Sequence, residues 1–240
     1  MTRRNLLELF EKLGLVRDGK PVFRVLMLLT CPYRYVYDQH YTRAMAAGST
    51  VHEVVQRAYV SLGYRFEELV SIDFGDFIIE GHIDLFREVS PTHAEIIEIK
   101  HASPHPGRPE LLPVELRPYA AKSEVVRYLP AVYYAQVVSY AAILKYLGYL
   151  RVDARIMLLP EAPDSLRPED IAARSIEIRV KLPKNTSVAL GALLRRAKQL
   201  HSALKRGFLT HWINEFCDLC PFRDRCRRYQ SFVRGRGSVC

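Results

Sequence analysis

The sequence predicts a single α/β domain, a mixed sheet flanked by helices, and three observations carry that expectation. Some stretches repeat apolar residues at helical spacing. Others are short runs rich in Ile, Val and Phe, bounded by Gly, Pro and Ser, and the two kinds succeed one another along the chain. With 240 residues, 49% of them apolar, there is enough material to bury a substantial core. No run of 18 apolar residues occurs, and residues 1–13 are charged and amphipathic rather than an apolar signal core. The expectation is therefore a cytoplasmic chain with no membrane partner.

Residues 5–13 read as a helix. Gly14 to Lys20 has the spacing of a phosphate-binding loop, but Pro21 stands where Ser or Thr would have to hold magnesium, and no strand precedes it, so ATP binding is not expected there. Residues 23–37 contain Cys31-Pro32 and three tyrosines. Val51, Val54, Val55, Ala58, Tyr59 and Leu62 mark a second helix, with Gly48 and His52 one turn apart near its start. Strands are expected at 72–80, 82–89 and 94–100, separated by Glu80-Gly81 and Ser90-Pro91-Thr92. Residues 101–118, with five prolines, read as a long loop directly after the last of these strands. Residues 130–147 are apolar nearly all round, which predicts a buried helix; strands at 152–159 and 175–180, a helix at 187–205 and a cysteine-rich tail complete the chain.

The formal charge of +9 is concentrated. From Arg195 to Arg236 eleven Lys or Arg face three acids, Glu215, Asp218 and Asp224. Such a density attracts nucleic acid through counterion release, although a solvated charged surface has the same composition.

The chemistry centres on strand parity. In Glu98-Ile99-Lys100 successive side chains point to opposite faces, so Glu98 and Lys100 share one face while Ile97 and Ile99 take the other. A carboxylate and an ammonium are thus set side by side at a strand end, where burial is costly without a metal or a partner. Asp84 comes from the neighbouring strand and can converge on the same point. Two carboxylates and an imidazole, His52, form a hard donor set for magnesium, with the imidazole favouring manganese, and Lys100 would orient an attacking water. A surface Glu-Lys pair on an edge strand is the bland alternative.

Gly48-x3-His52, Gly81-x2-Asp84, Glu98-Ile99-Lys100 and Gln136-x3-Tyr140, in that order, resemble the RecB-type nuclease motifs of the restriction-endonuclease-like, PD-(D/E)xK fold. The resemblance implies that His52, Asp84, Glu98 and the Ile99 carbonyl bind the metal, that Lys100 is catalytic, and that Gln136 and Tyr140 face DNA. Gln136 and Tyr140 are four apart on one helix face, and an internal hydrogen bond between them is the competing reading.

Five cysteines in a reducing compartment suggest metal binding rather than disulfides. Cys217, Cys220 and Cys226 form C-x2-C-x5-C, Cys31 stands far upstream, and Cys240 is read as free. Zinc sites more often use two close pairs. A lone cysteine with a C-terminal trio resembles the 4Fe-4S staple of certain RecB-family nucleases, with zinc as the alternative. Together the motifs and the cysteines resemble the CRISPR-associated RecB-like exonucleases, the Cas-four family, over essentially the whole chain. That implies a manganese- or magnesium-dependent exonuclease acting 5′ to 3′ on single-stranded DNA in spacer acquisition, with the CRISPR integrase proteins as partners and oligomers allowed. It also implies a nuclease core over 46–205 and a cluster-binding part built from 1–45 and 206–240. A non-catalytic DNA-binding or assembly protein, and the nuclease subunit of a repair helicase complex, are the competing functions.

Overall fold

The computed structural model describes residues 3–37, 43–101, 107–159, 170, 173–226, 228 and 230–231; Cys240 and residues 102–106 of the proline-rich stretch lie outside them. Helix α1 (Arg3–Lys12) buries Leu6 and Phe10 and leads into a hairpin of β1 (Val16–Arg17) and β2 (Lys20–Arg24). The turn between them is Asp18-Gly19, both at positive φ (51° and 72°), the two-residue geometry whose twist suits a hairpin. The phosphate-loop spacing is thus a helix exit followed by a tight turn. Helices α2 (Val25–Leu29) and α3 (Pro32–Tyr37) follow, then α4 (Arg43–Val60).

Among the described residues the sheet has seven strands. Besides β1 and β2 it contains β3 (Arg65–Asp73), β4 (Ile78–Ser90), β5 (His93–His101), β6 (Arg151–Leu159) and β7 (Ile176–Arg179). The order is β1-β2-β4-β5-β6-β7, with β3 paired to the remaining side of β4. The β2–β4 and β5–β6 pairs are parallel and the others antiparallel, so the sheet is mixed, as the sequence led us to expect.

Two of the expected strands are drawn differently. The stretch expected as a strand over 72–80 is broken by a turn, in which Gly75 N–H donates to the Asp73 carboxylate (2.7 Å) and Phe74 N–H to the Phe77 carbonyl (3.0 Å). Glu80-Gly81, expected to punctuate, lies inside β4. Strand β3 was hidden by its polar run: Glu67 and Glu68 sit where an alternating apolar pattern would have shown it.

The main core lies on one face of the sheet. There α6 (Ala131–Tyr146), buried along almost its whole length, packs with α1, α2 and α7 (Ser187–Lys205) over Ile79, Ile83, Phe86, Ile96 and Ile156. On the other face Val55 of α4 meets Leu85, Ile97, Ile99, Met157 and Leu159. The proline-rich stretch is packed where described: Leu112 and Leu116 are buried, α5 (Arg117–Ala120) follows, and Gly107 N–H donates to the Val126 carbonyl (2.7 Å). Leu6, Phe10, Leu15, Phe23, Met27 and Leu28 join the main core.

Candidate active site and cysteine cavity

Lys100, Glu98 and Asp84 meet where β4 and β5 part. The ladder between these strands ends at the Leu85–Ile97 pair, which puts Asp84 and Glu98 one step beyond it. The Ile99 N–H is taken by the Asp84 carboxylate instead (Oδ2, 2.7 Å). Lys100 Nζ donates to Glu98 Oε1 (2.5 Å), stands 3.9 Å from Asp84 Oδ2, and lies over the Tyr133 ring, 5.1 Å from its centroid. Parity holds as read: Ile97 and Ile99 point into the α4 face, Glu98 and Lys100 toward α6.

Burial dominates the electrostatics. Desolvation, with the Asp84 charge beside it, pushes the Glu98 carboxyl up to about 8, against the pull of Lys100. Burial alone would lower the Lys100 pKa, but Glu98 and Asp84 more than offset it and hold the ammonium charged. His52, on α4, has its pKa lowered, first by burial, so its imidazole is neutral and fit to be a ligand. It stacks against His101, the last residue of β5 (centroids 6.2 Å, 17°), a neighbour the loop reading of 101–118 concealed.

A divalent ion is tested by the unsatisfied groups. Glu98 Oε2 is buried with no hydrogen-bond partner, an arrangement that is expensive unless a cation meets the lone pair. His52, Asp84 and Glu98 do not all bring their ligand atoms within 4.8 Å of one another here, and Lys100 Nζ reaches both carboxylates, 2.5 Å from Glu98 Oε1 and 3.9 Å from Asp84 Oδ2. The donor set fits a hard cation.

Gln136 and Tyr140 are 5% and 3% exposed, and Gln136 Nε2 donates to Tyr140 Oη (2.8 Å). A ring so enclosed has no face to stack on a base. The pair instead backs the acids: burial and then the Glu98 charge raise the Tyr140 pKa well above its ordinary value. Gly81 has its reason here, since a Cβ at that position would meet Tyr140 Cε1 at 2.3 Å. Sequence reasoning missed Gln56, one helical turn beyond His52. Its buried amide donates to Glu67 Oε1 (3.1 Å) and toward the Asp84 carbonyl (3.4 Å), tying α4 and β3 to the acidic strand. Spacing from His52 was the available signal.

Cys31, Cys217, Cys220 and Cys226 line one cavity, all as free thiols. Burial raises the pKa of Cys31 and of Cys217. One tetrahedral zinc, bonded at about 2.3 Å to each thiolate, draws sulfurs to roughly 3.8 Å apart; no three of these sulfurs lie within 4.8 Å of one another. The walls are aromatic: Tyr33 stacks on His211 (4.4 Å) and meets Phe222 edge-on, while Arg34 donates to the Phe216 carbonyl (3.1 Å).

No protein-family model and no curated protein matches the chain. Among solved structures, the one described as SSO0001 aligns over 93% of this chain and 94% of its own, with a TM-score of 0.55 and 15% identity. The likeness is one of fold. A chain from Eubacterium rectale named "Putative exonuclease" aligns over 82% of this chain and 68% of its own, with a TM-score of 0.41 and 12% identity. Among the described residues no helix is long and apolar enough to cross a membrane.

Proposed function

We propose that this chain is a metal-dependent DNA nuclease of the RecB-like, restriction-endonuclease-like type. The observation that carries the reading is the buried Asp84–Glu98–Lys100 group at the parting of β4 and β5, with Glu98 Oε2 unsatisfied. His52, Asp84, Glu98 and the Ile99 carbonyl would hold manganese or magnesium, which when bound supplies charge neutralisation at a phosphate and a more acidic water. Lys100, charged and fixed by Glu98 and the Tyr133 ring, orients the attacking water and steadies charge that develops on the phosphate. Neutral His52 offers a nitrogen lone pair rather than a positive charge to the site.

The finer reading is a single-strand exonuclease acting 5′ to 3′, serving CRISPR spacer acquisition in the cytoplasm, alongside the integrase proteins, with a 4Fe-4S cluster on Cys31, Cys217, Cys220 and Cys226. The cavity shared by the four thiols supports the cluster, and the basic C-terminal third supports the nucleic-acid substrate. End-labelled single-stranded DNA incubated with manganese or magnesium should be degraded, and excess chelator should stop it. Lys100→Ala should abolish cutting and leave binding nearly intact. Cleavage at the parental rate by that variant would remove the assignment.

A further inference from the structure

A second site stands apart from the acids. Residues 110–117, the C-terminal half of α7 and the segment 208–213 enclose a groove of about 1170 Å³ that opens to solvent and that none of His52, Asp84, Glu98 or Lys100 lines. It exceeds the usual small-molecule pocket of roughly 300–1,000 Å³ and suits an extended polymer. Its walls carry Arg117, Arg196, Lys198, Arg206 and Arg228, and Glu110 is the one carboxylate lining it among the described residues. None of these five cations is ion-paired with a carboxylate among the described residues. Two rings stand between the charges: Trp212 with the Arg196 guanidinium 4.6 Å from its centroid, and Phe208, 46% exposed, with Arg206 at 4.9 Å.

We propose that this groove is a non-catalytic holding site for the sugar-phosphate backbone of a single strand, with Trp212 and Phe208 against its bases. Cations without carboxylate partners seek phosphates, and aromatic side chains interleaved with them favour unpaired bases over a duplex whose bases are stacked inside. Arg196 is built into the wall rather than loosely placed: it donates to the Leu28 carbonyl (2.7 Å). Burial pushes its pKa down to about 10, with Glu115 opposing the shift and Arg117 adding to it. His211, Trp212 and Ile213 also line the cysteine cavity, so the strand would lie against the outer wall of that cavity. The inference deepens the nuclease reading by locating its strand, yet it stands on the groove's own charges and rings.

The test uses the full chain without added divalent metal and a fluorescein-labelled dT20. Trp212 is the chain's single tryptophan, so its emission reports from the groove itself. Binding should follow anisotropy and change Trp212 emission in parallel. Lys198→Glu with Arg206→Glu should weaken it at least tenfold. That pair should also flatten the slope of log K against log salt by about 1.4, two contacts at roughly 0.7 each. Lys181→Glu with Lys184→Glu, equal in charge but outside the groove, should weaken it less than threefold. Arg228→Glu, at an exposed position, serves if the first pair fails to fold, and should cost at least threefold. Equal effects of groove and control pairs, or no binding by the parent chain, overturn the proposal. So does equal competition by a 20-base-pair duplex, or by poly-glutamate, which would make the groove a duplex or an acidic-protein site. Cleavage by the parent chain with manganese is scored separately, so the groove can fail while the nuclease reading stands.

Discussion

Glu98 is where function and stability conflict. Its carboxyl is buried, repelled by Asp84 and left with one unpartnered oxygen, so its folded pKa lies above that of the unfolded chain. A raised folded pKa means that the stability present below the unfolded value is lost as pH rises toward the folded one. Glu98→Gln keeps an acceptor for Lys100 and removes the ionisation. In chelator it should melt a few degrees above the parent chain, with the gap opening as pH climbs from about 5 to about 8, while cleavage is lost. A melting temperature equal to the parent's at pH 8 would contradict this account of the site. Gly81 offers the opposite test. Gly81→Ala sets a methyl 2.3 Å from Tyr140 Cε1, inside a packed face that cannot simply yield. The overpacking should cost about 1–3 kcal/mol in a denaturant titration and lower the cleavage rate, since Tyr140 and Gln136 stand directly behind the acids.

At the scale of elements, one carboxylate joins the cysteine-bearing segment to the helix that carries the catalytic support. Glu215 accepts from the N–H of Arg108 and from the N–H of Val132 (2.8 Å), the latter in the first turn of α6, where donors have no intrahelical partner. The neighbouring residues continue the link: Phe216 packs on Tyr133 (6.1 Å), and Tyr133 lies under Lys100. Glu215→Ala should therefore speed hydrogen exchange at residues 107–112 and 131–133. It should also lower the cleavage rate severalfold, although Glu215 touches none of the acids. Tyr133→Leu should reproduce the rate loss without the change in exchange at 107–112, because it removes the platform of Lys100 and leaves the tie intact.

Across the whole molecule the four cysteines bring the segment around Cys31 and the 217–226 segment to one cavity. The proposed cluster on Cys31 and the Cys217–Cys226 trio would close a loop of nearly two hundred residues, worth about 5 kcal/mol on the entropy model used for disulfides, a term that rivals the net stability of a domain. The purified protein should be yellow-brown, absorbing near ~400 nm as thiolate-ligated iron-sulfur centres do. Cys31→Ala should bleach it and lower its melting temperature, while Glu98→Ala should leave the colour unchanged. A Cys31→Ala protein that stays coloured and melts with the parent would show that Cys31 is no ligand.

Strongly periodic segments declared themselves in the sequence: α6 and α7 were legible to within a residue or two because a helix buried all round, or striped on one face, writes its period into the residues. The placement of Glu98 with Lys100 on one face followed from parity alone. Strand β3 and the turn at 74–77 were not legible, since a strand holding Glu67 and Glu68 carries no alternating signal. Nor were Gln56, His101, Tyr133 and Glu215, whose roles depend on partners up to 107 positions away in the chain. The sequence by itself determined which residue types stand at each strand and helix position, hence the mixed α/β class and the identity of the candidate acids. Only the tertiary structure decided that Gln136 and Tyr140 turn inward to each other and that the four thiols share a cavity. Both outcomes depend on how separate elements pack, and packing distances between elements are not encoded in any local period.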